Sequence, residues 1–159
     1  MTQLIRPPYK KISREILEKC MRMLHPHATF EYEKVLPSPR WENRVIGMHE
    51  VEYDKSWKYV TAWKIDVLVN DQGNFYIYET DAMCRHWTFG QLYAYRHWLK
   101  IQLQISVHAR AICLEYDDRA AKIMYEHGMQ IYVIPRGAGN IRLVPGSEID
   151  NRLEGRIFL

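Results

Sequence analysis

The chain reads as an α/β protein of the α+β kind: a mixed β-sheet flanked by helices, in the order helix, β-meander, helix, strand, helix, strand. Three observations predict this. Residues 57–69 and 75–81 are rich in β-branched and aromatic residues, and Asn70-Asp71-Gln72-Gly73-Asn74 supplies a turn between them. Residues 89–103 place Leu92, Leu99 and Leu103 at helical spacing. A strand at 109–115, Asp117 as an N-cap, a helix closed by His127-Gly128 and an apolar strand at 130–134 spell a βαβ unit, whose strands lie parallel.

The remaining elements follow in order. Ser13 can cap a helix over 13–24, with Ile12, Ile16, Cys20, Met23 and Leu24 recurring at helical spacing and His25-Pro26 ending it. Residues 30–35 alternate as a short strand, 36–44 carry two prolines and read as a loop, and 45–53 are again extended. Beyond Pro135, turns at 136–140 and 145–147 separate short strands at 141–144 and 156–159.

With 159 residues, 47% of them hydrophobic, the chain is expected to form one domain over 1–159 and to bury roughly two thirds of its unfolded surface. That composition excludes disorder as the main state. There is no run of about 18 apolar residues and the N-terminus has no apolar signal core, so an intracellular, cytoplasmic protein without a membrane span is expected. Three scattered cysteines, none in a CxxC pair, make neither a disulfide framework nor a four-thiolate metal site. Charge is uneven: residues 1–40 hold eight Lys or Arg against four Asp or Glu, and residues 41–80 hold four against seven. A basic flank beside an acidic centre suits a protein that attracts a polyanion and holds a cation.

The acids are concentrated in the meander. Period-two alternation puts Lys64 and Asp66 on one strand face, and Glu79 and Asp81 on a face with Phe75 and Ile77. If the two strands pair, three carboxylates converge. Unit charges about 4 Å apart repel by about 4 kcal/mol at an effective dielectric near 20, and a divalent cation with oxygen ligands relieves that repulsion. Other candidates are poorer. His25-Pro-His27 and Cys84-Arg-His86 lack a second pair at zinc spacing, and Gly137-Ala-Gly139 lacks the Lys-Ser/Thr of a phosphate loop. The tryptophans are expected to pack, with those near 36–44 and 82–88 able to stack on bases if exposed, beside Arg85, His86 and Arg96 as phosphate contacts.

The hairpin of Lys64-Ile-Asp66-Val-Leu-Val and Phe-Tyr-Ile-Tyr-Glu79-Thr80-Asp81, followed by a helix and a βαβ unit, resembles the PD-(D/E)xK, or restriction-endonuclease-like, nuclease superfamily over about residues 45–134. The helix at 13–24 is similar to the family's opening helix, and Gln91-Leu-Tyr-Ala-Tyr95 to the Gln-x3-Tyr motif of RecB-type exonucleases. The resemblance implies a metal-dependent nuclease hydrolysing phosphodiester bonds of DNA, by internal cleavage. Mg²⁺ or Mn²⁺ would be held by Asp66, Glu79, Asp81 and the Thr80 carbonyl. Glu15 or Glu18 of the first helix would be a supplementary acid. One departure stands out: the family lysine after Glu-x is here Asp81, with Lys64 as a candidate replacement. The alternative is a catalytically inactive nuclease fold that binds nucleic acid or a protein partner. DNA contacts are expected from Gln91, Tyr95, Arg85 and Arg96, and from the basic segment with Lys10, Lys11 and Arg14. RNA is the other candidate polymer, and a homodimer the assembly that cuts two strands.

Overall fold

The computed structural model describes residues 12–36, 63–135 and 140–157, and among these it forms a six-stranded sheet and four helices. In chain order the elements are α1 (Arg14–Leu24), β1 (Thr29–Leu36), β2 (Trp63–Asp71), β3 (Asn74–Cys84), α2 (His86–Leu103), β4 (Val107–Tyr116), α3 (Asp118–Glu126), β5 (Gln130–Val133), β6 (Arg142–Leu143) and α4 (Gly146–Ile157). The strands lie side by side in sequence order. β1, β2 and β3 form the antiparallel meander, with Leu68 opposite Ile77 and Val67 opposite Tyr78. The β3–β4 and β4–β5 pairs are parallel, because α2 and α3 carry the chain back across the sheet. The mixed sheet flanked by helices is therefore the observed architecture.

Local sequence explains the joints. Gln72 and Gly73 both have positive φ, 53° and 90°, which makes the β2–β3 turn the two-residue type that matches strand twist. The Asn70 side chain accepts from Gly73 N–H at 2.9 Å. Ser13 caps α1 through Ile16 N–H, and Asp117 caps α3 through the N–H groups of Arg119 and Ala120.

Two buried layers sandwich the sheet. On one face α2, α3 and α4 pack Leu92, Tyr95, Leu99, Ala121, Met124 and Ile149 against Leu68, Ile77, Ala111 and Ile131. On the other, α1 packs Leu17, Cys20 and Met21 against Val67, Val69, Tyr78 and Ile112. Each fully buried large side chain contributes about 1.5–3 kcal/mol.

Several expectations are corrected. Ile16 and Met23 are 44% and 53% exposed; the inward stripe of α1 is Leu17, Cys20 and Met21 instead. The difference is a rotation of about one residue, too small to read from spacing when hydrophobics occur on both sides. Leu103 is exposed, and Tyr95 takes its place in the inward stripe of α2, which begins at His86 rather than 89. Residues 156–157 do not form a strand: they end α4, whose start at Pro145-Gly146 and inward Ile149 and Leu153, four apart, carry the helical pattern. Residues 45–53, 57–62 and the Gly137-Ala-Gly139 turn lie outside the described residues.

Candidate active site

β2 and β3 position the acids. Their ladder runs from Asp71 opposite Asn74 to Val67 opposite Tyr78 and stops there. At the next level side chains replace the backbone partners. Glu79 Oε1 accepts from Asp66 N–H at 3.0 Å, and Asp66 Oδ2 accepts from Thr80 N–H at 2.8 Å and from Thr80 Oγ1 at 2.9 Å. Each carboxylate thus binds the backbone of the opposite strand. Hydrogen bonds to a charged group contribute about 1.5–3 kcal/mol each, so this exchange fixes both acids where the ladder ends. Asp66 and Glu79 are 8% and 2% exposed.

α2 covers the pair. The Tyr95 phenol is buried, hydrogen-bonded to the Gln91 side chain and close enough to feel the charges of Glu79 and Asp66. Burial first, and those two charges second, push its pKa above the ordinary phenol value, with Gln91 opposing. Tyr95 is consequently a neutral hydrogen-bonding group, not a base, at any pH near neutrality. Gln91 and Tyr95, four apart on one helix face, meet the acid-bearing strands through Tyr95.

The other sequence-derived residues fall around this centre. Lys64 is half-buried two residues before Asp66 on β2. Asp81, two residues beyond Glu79, is half-buried and accepts from Thr88 Oγ1 at 3.4 Å, while Thr88 Oγ1 also accepts from Arg85 N–H at 3.2 Å. The first turn of α2 is therefore tied to β3 through Asp81, a role the sequence did not assign to Thr88. Arg85 is exposed at the start of α2. Arg96 donates to the His127 carbonyl at 2.8 Å, which ties α2 to the end of α3. Arg14 lies on the α1 face of the sheet, hydrogen-bonded to Glu18 Oε1 at 2.9 Å and with its guanidinium 3.7 Å above the Tyr32 ring. Because α1 packs on the face opposite Asp66 and Glu79, Glu15 and Glu18 do not supplement the acidic pair. Lys10 and Lys11 lie outside the described residues.

Among the described residues no three His, Cys, Asp or Glu side chains are gathered to hold a metal ion. The donors at the centre are nonetheless oxygens only, from two buried carboxylates on adjacent strands. That set fits Mg²⁺, which is commonly bound by one or two carboxylates together with water and substrate phosphate. It does not suit a soft-metal site. In the pairs His25-Pro-His27 and Cys84-Arg-His86 the first residue of each is engaged within the fold, Cys84 Sγ lying 3.3 Å from Met124 Sδ. His25 is bound to Asp71 and Tyr78, and the buried Cys84 thiol is raised by burial well above the ordinary thiol pKa.

A second polar network, missed by the sequence reading, lies on the α1 face. His25 Nδ1 meets Asp71 Oδ2 at 2.8 Å, His25 Nε2 meets the Tyr78 hydroxyl at 2.7 Å, and Arg110 donates to that hydroxyl at 2.8 Å. The only sequence signal was alternation, which puts Tyr78 and Arg110 on the strand face opposite Glu79.

No protein-family model matches the chain, and no curated protein matches it. Among solved structures it is similar to EndoMS in its complex with double-stranded DNA, at a TM-score of 0.50 and 14% identity over 79% of this chain and 46% of that one. It is also similar to a repair endonuclease from Pyrococcus abyssi, at a TM-score of 0.44 and 16% identity over 77% of this chain and 47% of the other. The chain thus spans about half the length of either protein. The likeness to EndoMS, with the observed order of strands and helices, establishes a restriction-endonuclease-like fold. No helix among the described residues is long and apolar enough to cross a membrane.

Proposed function

We propose that the protein is a divalent-metal-dependent nuclease that hydrolyses phosphodiester bonds of DNA by internal cleavage. The observation that carries this reading is the acidic pair. Asp66 and Glu79 are buried on adjacent strands, each held by the other strand's backbone, in the fold shared with EndoMS. Two buried carboxylates side by side where a ladder stops are unusual for a plain sheet, and metal-dependent chemistry accounts for their placement. The structure of EndoMS with double-stranded DNA supports DNA as the polymer.

Asp66 and Glu79, with the Thr80 carbonyl, would hold Mg²⁺ or Mn²⁺, which supplies charge neutralisation at the phosphoryl oxygens and an acidified water. The chain's own residues do the rest. Thr80 orients Asp66 through two donors, the Asp66 N–H orients Glu79, and neutral Tyr95 lies within electrostatic reach of both. Lys64, on the Asp66 strand, is the residue proposed to take the part of the missing family lysine. Arg85 and Gln91 on α2 are the proposed strand contacts nearest this centre.

One observation favours a second reading, an inert nuclease fold that binds nucleic acid or a protein. Asp81 stands where the resemblance expects lysine, and Thr88 engages it structurally. Cleavage of plasmid, linear duplex, single-stranded DNA and RNA, with and without Mg²⁺ or Mn²⁺, separates the two. Metal-dependent nicking that disappears in Glu79→Gln supports the nuclease. Nucleic-acid binding without calorimetric metal binding or cleavage supports the inert fold.

A further inference from the structure

Trp87, in the first turn of α2, is 73% exposed, more than any other large apolar side chain among the described residues. It borders a groove of about 450 Å³ together with His86, Gly90, Gln91, Ala94 and Tyr95. Small-molecule clefts span roughly 300–1,000 Å³. The composition of this one is specific: an indole, small residues at Gly90 and Ala94, an amide from Gln91, and an exposed imidazole from His86, with exposed Arg85 next in sequence. Tyr95 lines the groove, and its buried phenol feels the charges of Glu79 and Asp66. The groove therefore lies on the helix that packs over the sheet face of the acidic pair. Its indole suits a flat ring, and the neighbouring Arg85 is the cation nearest in sequence for the phosphate of the same nucleotide.

We propose that this groove takes an unpaired nucleobase of the strand held at Asp66 and Glu79, so that the protein prefers single-stranded or locally unpaired DNA to fully paired duplex. The faces of bases inside a duplex are already stacked, and an indole on the protein surface reaches only a base that has left the stack or ends it. The proposal rests on the nuclease reading for which polymer lies at the acids, but its test does not depend on cleavage.

The test is binding of the full chain in EDTA, where nothing is cut, to a labelled oligothymidine, to the same strand carrying one abasic residue, and to the strand in a blunt duplex. Aromatic stacking by one base changes affinity by about 5- to 150-fold on alanine substitution. Trp87→Ala is therefore expected to weaken single-strand binding by about 10-fold and duplex binding by less than about twofold. Gly90→Leu is the second variant. Nothing lies within 4 Å of a Cβ added at Gly90, so a side chain there starts into open space, and replacing a mid-helix glycine favours the helix. It should lower single-strand affinity similarly while holding or raising the melting temperature.

Wild-type affinity for single strands in both variants overturns the groove, as does loss of self-association instead of DNA binding in sedimentation. Cleavage is scored separately. Absent metal-dependent cleavage with the binding differences intact ends the nuclease reading and keeps the groove, and the converse result does the reverse.

Discussion

The two faces of the sheet each bury a polar network, built on opposite plans. On the α1 face Asp71, His25, Tyr78 and Arg110 form a chain of side chains in which acid, imidazole, phenol and guanidinium alternate. Such a chain joins α1, through its C-cap residue His25, to β2, β3 and β4. On the α2 face two carboxylates of like charge take backbone N–H groups from each other's strands, at the level where strand pairing stops. The first network mixes opposite charges and adds to the sheet. The second interrupts the sheet to hold two negative charges side by side. On the nuclease reading the acidic pair is held for a metal ion, whereas the α1-face network joins helix to sheet.

Substitution should separate the two networks cleanly. The largest effect expected is on cleavage by Glu79→Gln, a loss of at least about 10³-fold, since several kcal/mol of metal-based stabilisation depend on the charge. The amide oxygen still accepts from Asp66 N–H, so the melting temperature should hold, and full metal-dependent activity in folded Glu79→Gln would remove the acidic pair from the mechanism. On the other face Tyr78→Phe deprives buried His25 Nε2 and Arg110 Nη1 of a partner at once. Arg110 Nε is already buried without a hydrogen bond among the described residues, its guanidinium lying 4.5 Å from the Tyr76 ring centre. A cost of about 1–3 kcal/mol is expected by denaturant titration, with cleavage by the remaining folded protein unchanged. A fall in catalysis at constant stability would show that the two faces communicate.

These two networks also mark what was legible in the sequence. Alternation placed Asp66 and Glu79 on a common face because period two is strict in a strand and the Asn70–Asn74 turn fixes its register. Gln91 and Tyr95 were singled out by the Gln-x3-Tyr resemblance, while helical spacing alone gave Leu103 the inward position that Tyr95 occupies. The exchange of backbone partners was not legible, since it depends on where the β2–β3 ladder ends, and Thr80 was assigned only a carbonyl when its N–H and hydroxyl both hold Asp66. The His25 network joins residues 46 and 53 positions apart, and no local pattern reports such a separation. α4 went unread because its signal is two inward residues, Ile149 and Leu153, in a polar segment.

Tyr95→Phe sharpens the account of the acidic face with a smaller effect. The hydroxyl is neutral throughout the working range, so its loss should slow cleavage by about 10-fold without moving either limb of the pH–rate profile. A shifted limb would make Tyr95 a titrating participant. A control outside both networks comes from α4. Glu148 accepts from Tyr116, which, with Arg142, holds its carboxyl below the usual value of 4.5 against a burial effect of opposite sign. The stabilisation it gives is present above that ordinary value and is lost as pH falls through the lower, folded one. Glu148→Gln should accordingly flatten the loss of melting temperature below about pH 4.5 and leave the neutral-pH cleavage rate as it was. An unchanged acid limb would show that Glu148 is not among the groups that set acid stability.

The smallest effect expected is at Arg14, and it tests whether the polymer uses one face or both. Each duplex phosphate neutralised adds about 0.9 to the slope of log affinity against log salt. Arg85 is exposed where α2 begins, on the side of the acidic pair, so Arg85→Ala should lower the slope by about that amount. Arg14 is already engaged by Glu18 and Tyr32, and it sits beyond the sheet from Asp66. Among the described residues β1 is an edge of the sheet, and a strand at the acids reaches Arg14 by wrapping past such an edge. Arg14→Ala should therefore leave the slope within experimental error and cost only a few tenths of a kcal/mol, the usual worth of an exposed i,i+4 pair. A fall of about one unit for Arg14→Ala, equal to that for Arg85→Ala, would mean that DNA runs over both faces. The basic N-terminal segment would then be part of its track.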